Sequence, residues 1–217
     1  MTRPAPILLT GFEPFGGEPV NPSARIAQAL DGALVDGVPI ASRILPCTFA
    51  ASLRELDAAL HAHAPQIVLC LGQAAGRDGL SLERIAINVI DARIADNAGA
   101  QPIDEPVIGD GPAAYWSTLP IKAISAGLRA AGIPCGVSQS AGTFVCNHVF
   151  YGLMHRLAAN PAVRGGFMHV PLMPEQAARN PGHASMPLET MIEGVRHALA
   201  LTLRRTTDLR TTGGAIA

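Results

Sequence analysis

Ser140-Ala-Gly-Thr-Phe-Val-Cys-Asn-His148 carries a cysteine at the point where a strand pattern gives way to a helix pattern. Upstream, Ile133-Pro-Cys-Gly-Val-Ser138 is short, apolar and bounded by Gly and Pro, which reads as a strand. Downstream, Val149, Leu153, Met154 and Leu157 recur at three- and four-residue steps, the period of an amphipathic helix. Ser140 to Thr143 is then the turn, and Cys146 falls in or just before the first helical turn. Unpaired N–H groups and the helix dipole favour an anion there. A thiol so placed can have its pKa lowered from about 8.5 into the range ~3.5–7.5, and the thiolate is the form that attacks carbonyls. Free cysteine is also among the most buried residue types and often only fills space, so a nucleophile needs a base beside it.

Strand–turn–helix units recur outward from this stretch. Ala5 to Thr10 reads as a buried strand running into Gly11-Phe-Glu-Pro-Phe-Gly-Gly17, and Asn21-Pro22 opens a helix with Ile26, Ala29 and Leu30 on its apolar stripe. Val38 to Leu45 reads as a second strand, and Thr48 caps a helix to about His63. Gln66 to Leu71 is a continuous apolar run, as in sheets covered on both faces. Glu83 to Val89 alternates, with Glu83, Ile85, Ile87 and Val89 on one side. Asp91 to Pro112 is rich in Asp, Gly and Pro without a period, and is expected to be a lid or pocket wall. A helix is expected from Ser117 to about Ala131, a strand from Arg164 to Pro171, and a last helix over Leu188–Arg204. The small polar tail 206–217 is expected to fray. The alternation predicts one α/β domain over 1–217, with a largely parallel sheet and helices on both faces. Ligands gather at the C-terminal ends of such strands. The loops at Gly11, Gly72, Ser140 and His169 all follow strands, so all four are expected to face one site.

Composition narrows the function. Of 217 residues, 48% are hydrophobic and 15% charged, enough apolar material for a core and too little charge for disorder. The net charge of −1, without a Lys/Arg cluster, gives nucleic acid or an anionic membrane no electrostatic footprint. The N-terminal residues lack the apolar stretch of a signal peptide, and no apolar run reaches the roughly 18 residues of a membrane helix. Cys47, Cys70, Cys135 and Cys146 form no C-x-x-C, so a reduced, cytoplasmic protein without a disulfide framework or zinc ribbon is expected.

Seven histidines could serve Cys146. His148 is two residues on, a rotation of about 200° along a helix, and points away. His61 and His63 lie on opposite faces of a helix and join no carboxylate cluster, so no metal site is read there. His169 closes an apolar strand, where this fold class places chemistry. A third group should orient the imidazole. Glu83, Asp91, Asp96, Asp104 and Glu105 are candidates, and Glu83 shares a face with Ile85 and Ile87, so it is expected to point inward.

Several long motifs now stand in one order: Gly11 to Gly17 with Asn21-Pro-Ser23; Glu83-Arg-Ile-Ala-Ile-Asn-Val89; Asp91-Ala-Arg-Ile94 with Asp96-Asn97; Ser140 to His148; and Phe167-Met-His-Val-Pro171 with Pro174-Glu-Gln176. Together they resemble the pyroglutamyl peptidases, a cysteine peptidase family, from the first strand to about Glu193. The resemblance implies an α/β/α sandwich, a cytoplasmic homotetramer without metal or cofactor, and a catalytic set of Glu83, Cys146 and His169. It also implies peptide substrates with an N-terminal pyroglutamyl residue, a neutral lactam that wants flat apolar walls and a few hydrogen bonds. Phe12, Phe15, Phe144 and Val145 are candidate walls, and Asn21 and Gln73 candidate polar contacts; Arg93 could add positive charge. Ordinary packing is the rival reading for each Phe. A phosphate binder on the first loop has weak support, since neither G-x-G-x-x-G nor G-K-[ST] occurs there. A non-catalytic binding protein and a cysteine amidase for another small amide stay open.

Overall fold

The computed structural model describes residues 4–214. In chain order its elements are β1 (Ile7–Phe12), α1 (Pro22–Leu30), β2 (Leu34–Val35), β3 (Val38–Leu45), α2 (Phe49–His63), β4 (Ile67–Gln73), β5 (Leu80–Glu83), β6 (Ile85–Ile87), β7 (Ala114–Trp116), α3 (Ile121–Ala130), β8 (Cys135–Ser138), α4 (Val145–Ala158), β9 (Arg164–Val170), α5 (Pro174–Ala177) and α6 (Leu188–Arg204). Seven strands form one sheet in the order β2-β3-β1-β4-β9-β5-β8, and β6 pairs with β7 apart from it. The sheet is mixed: β3, β1, β4 and β9 run parallel, while β5 lies antiparallel to β9 and parallel to β8.

The period of two within each strand sorts side chains into two cores. Ile7, Leu9, Ile67, Leu69 and Leu71 pack with α1, α3 and α6 on one face. Leu8, Val68, Cys70 and Phe167 pack with α2 and α4 on the other. This is why Gln66 to Leu71 reads as unbroken apolar sequence, and it gives the α/β/α layering. Gly165 of β9 lies under Leu153 and Leu157 of α4.

Three expectations need correction. The alternating run from Glu83 does not continue to Val89. The chain leaves the main sheet at Arg84, whose N–H donates to Ser138 O at 2.9 Å, and resumes as β6 against β7. The register resets there, so Ala86, not Ile85 or Ile87, is the fully buried residue. The helix expected from Ser117 begins at Ile121, because Thr118 N–H is taken by Gly165 O outside any helix. The turn after β8 does not leave from the same sheet edge as the loops after β1, β4 and β9, because β8 and β5 run the opposite way.

The long segment from Asp91 to Pro112 contains no regular element, yet it is tied down. The Asp96 carboxylate accepts from the N–H groups of Phe49, Ala98 and Ala100. The Asn88 amide donates to Ile108 O and Gly111 O and accepts from Ile108 N–H. In the tail, Asp208 accepts from the N–H groups of Lys122 and Ala123 at the start of α3, and Arg84 donates to Gly213 O. Residues 215–217 lie outside the described residues. Among the described residues no helix is long and apolar enough to cross a membrane.

Candidate active site

Strand register builds the site. His169 of β9 is paired with Gly72 of β4 and with Ser81 of β5. Leu80 and Leu82 belong to one core, so Ser81 and Glu83 face the other, the side occupied by α4. His169 follows Phe167 on that same side, with ring centroids 4.9 Å apart. His169 Nδ1 and Glu83 Oε1 are 2.8 Å apart and both residues are buried. A carboxylate oxygen only accepts, so Nδ1–H donates, and in the neutral imidazole Nε2 is then the acceptor nitrogen.

Cys146 reaches this place from α4. It stands in the first helical turn, two residues after the N-cap Phe144, and no side chain among the described residues caps that end. Gly72 makes room for it. A Cβ at Gly72 would stand 2.7 Å from Cys146 Sγ and 2.8 Å from the Phe167 ring. The nucleophile candidate therefore sits over the strand position directly beside His169. Cys146 is partly accessible. Even so, burial, followed by Cys47, Glu83 and Cys70 nearby, pushes its thiol well above the ordinary value. This push runs against the lowering that a helix start alone would give. Burial likewise pushes Cys47 and Cys70 up to about 12.

Other candidates fall into groups. Phe15 and Phe144 meet at 6.2 Å between ring centroids, and Phe144 meets Phe49 edge-on at 5.4 Å, forming an aromatic wall beside the start of α4. Phe12 is buried against Phe167, at 6.5 Å, and so underlies His169. Val145 is fully buried in the core of α2 and α4. Asn21 is buried, and its carbonyl oxygen accepts from Ser23 N–H and Oγ–H, while its amide donates to Glu13 O. Gln73 accepts from Gln176 Nε2 at 3.0 Å. Arg93 is exposed and has no hydrogen bond or ion pair among the described residues.

Of the carboxylates considered for the third position, only Glu83 meets His169. Burial alone would raise the Asp96 carboxyl, but backbone N–H groups of Phe49, Ala100, Ala98 and Gly99 hold it below its ordinary value. Asp96 thus fixes a loop. His148 points away from the site, with Nε2 3.0 Å from Phe49 O. Sequence reasoning missed two residues. Asn147 donates to Ile87 O and Val89 O and accepts from Ile87 N–H, fastening α4 to β6. Arg77 lies 3.6 Å from Glu83 Oε1. Its only sequence signal is a basic residue in a Gly-rich loop after a strand.

The family model for pyroglutamyl peptidase matches residues 5–205. A pyrrolidone-carboxylate peptidase of Cupriavidus taiwanensis is 58% identical over 97% of this chain and 98% of its own. The crystal structure of pyroglutamyl peptidase I from Bacillus amyloliquefaciens superposes with a TM-score of 0.94 at 44% identity, covering 96% of this chain and all of that one. Pyrrolidone carboxyl peptidase from Thermococcus litoralis gives a TM-score of 0.89 at 39% identity, over 92% and 94% of the two chains.

Proposed function

This chain belongs to the pyroglutamyl peptidase family, and on that premise we propose that it removes N-terminal pyroglutamyl residues from peptides with Cys146, His169 and Glu83 as its catalytic set. The observation that carries the reading is the 2.8 Å contact of His169 Nδ1 with buried Glu83, on the sheet face where Gly72 admits Cys146 Sγ.

The steps follow from these groups. With substrate bound, His169 Nε2 takes the Cys146 proton as sulfur adds to the pyroglutamyl carbonyl carbon. Glu83 holds the imidazole in the required tautomer and stabilises its charged form. The uncapped N–H groups at the start of α4 are the donors for the oxyanion. The C–N bond then breaks, Nε2 gives its proton to the leaving amine, and a thioester remains. Water loses a proton to Nε2 and adds to the thioester; the C–S bond breaks, the sulfur regains a proton, and pyroglutamate leaves.

The lactam has no α-ammonium to grip, which suits a wall of Phe15 and Phe144. A homotetramer in the cytoplasm, acting as a single domain, completes the proposal. Free cysteines support the reducing compartment, and exposed Leu34, Ile103 and Trp116 support a surface covered by another copy. The test is release of a fluorescent amine from pyroglutamyl, prolyl and glutamyl amides. Turnover of the pyroglutamyl compound alone is expected; none by folded, reduced protein would sink the assignment.

A further inference from the structure

Glu83 is fully buried, and among the described residues its carboxylate has two polar partners, His169 and Arg77. Both meet the same oxygen, Oε1; Oε2 is buried without a partner. Arg77 comes from the loop between β4 and β5 and is about one-third exposed. The same Nη2 atom that approaches Glu83 donates to Ser138 Oγ at 3.0 Å, and Ser138 Oγ–H donates to Ser140 O at 3.1 Å. Ser140 begins the turn that delivers Cys146, and its own hydroxyl accepts from Gly142 N–H. One guanidinium therefore touches the acid and, through one hydroxyl, the turn leading to the nucleophile.

We propose that Arg77 is a positioning residue for the hydrolysis, holding the Glu83 carboxylate against His169 and the 138–144 turn against the sheet. The inference rests on the catalytic reading above. An exposed ion pair would contribute little, but here the acid is buried, and removing one of its two partners leaves a charge poorly compensated. The other titratable groups gathered at this place are Cys146 from α4, with Cys47 and Cys70 behind it. None of these is a cation, so loss of Arg77 leaves His169 as the one cationic partner within ion-pair distance of Glu83 among the described residues. Removing a positive charge beside the pair should move the acid limb of kcat/KM to higher pH.

Arg77 also lines an open cavity of about 1250 Å³ beside Asp78, so the space its side chain leaves is reached from solvent by a small guanidinium. The experiment compares wild type, Arg77→Ala, Arg77→Lys and Ser138→Ala on the pyroglutamyl amide across pH, with and without methylguanidinium. For Arg77→Ala, kcat should fall about tenfold to a hundredfold while KM changes by less than about twofold. Its acid limb should move up, and methylguanidinium should restore part of kcat and return the limb. Arg77→Lys keeps the charge and should leave the limb in place while lowering kcat. Unchanged kcat in Arg77→Ala overturns the inference, as does a loss with an unmoved limb and no rescue, which marks a merely structural role. If Arg77→Ala does not fold, wild-type kcat in both Arg77→Lys and Ser138→Ala overturns it. An inactive wild type overturns the catalytic reading itself, a separate result.

Discussion

The starts of α1 and α4 solve the same problem in opposite ways. Each helix begins with N–H groups that have no partner within the helix. At α1 the chain answers them from within: Asn21 accepts from Ser23 N–H, and Pro22 has no N–H to satisfy. At α4 the N-cap is Phe144, whose side chain can accept nothing. That helix start is anchored sideways instead. Asn147 is bonded to Ile87 and Val89, and His148 to Phe49 O. Side chains that could have capped the helix fasten it to neighbouring segments, and the first-turn N–H groups stay open beside Cys146. A closed helix start stabilises the fold; an open one, fastened from outside, keeps its N–H donors free, as the proposed oxyanion binding requires.

Substitutions at and beside the two helix starts should break or sharpen this contrast. Cys146→Ser should cut turnover of a pyroglutamyl amide by at least about a thousandfold with the melting temperature nearly unchanged. A variant that keeps substantial turnover would remove α4 from the chemistry. Gly72→Ala places a methyl 2.7 Å from Cys146 Sγ and 2.8 Å from Phe167, and should lower kcat about a hundredfold through misplacement of sulfur. Its thermal stability should drop by about 1–3 kcal/mol from overpacking, which calorimetry reads separately from kinetics.

His148 should give α4 a pH dependence that α1 lacks. Burial is the main cause that brings its pKa down from 6.5 to about 4. The unfolded chain therefore binds more protons between those values, and stability falls as pH drops through that window, by about 3 kcal/mol when complete. It is fully present above pH 6.5. In His148→Gln the acid slope of unfolding free energy over that range should flatten; an unchanged slope would show that His148 does not set it. The smallest effect is expected at α1. Asn21→Ala should cost about 1 kcal/mol of stability as a lost cap and leave KM for the pyroglutamyl amide unchanged. A rise in KM without loss of stability would make Asn21 a substrate contact after all.

The sequence was legible wherever local physics decides. Asn21, Thr48 and the apolar periods placed α1, α2 and α6 at their observed bounds. The unbroken apolar run announced a strand buried on both faces, as β4 is. Reading failed where a local pattern was overruled at a distance. Alternation from Glu83 to Val89 looks like one strand, yet Arg84 is drawn to Ser138, far along the chain, and the run splits between two sheets. Ser117 looks like a helix cap, yet Gly165 O takes the next N–H.

The residue types for a cysteine peptidase, their order and the family they resemble were determined by the sequence, because motifs are written in neighbouring residues. The direction of β5 was decided only by the tertiary structure, and with it the pairing of Ser81 with His169 that brings Glu83 within 2.8 Å of the imidazole. So was the environment of the Cys146 thiol. A helix start alone would lower its pKa, but burial and the Glu83 charge, which arrive only when the sheet and α4 pack together, raise it. Register and burial depend on groups far apart in the chain, and no local pattern encodes them.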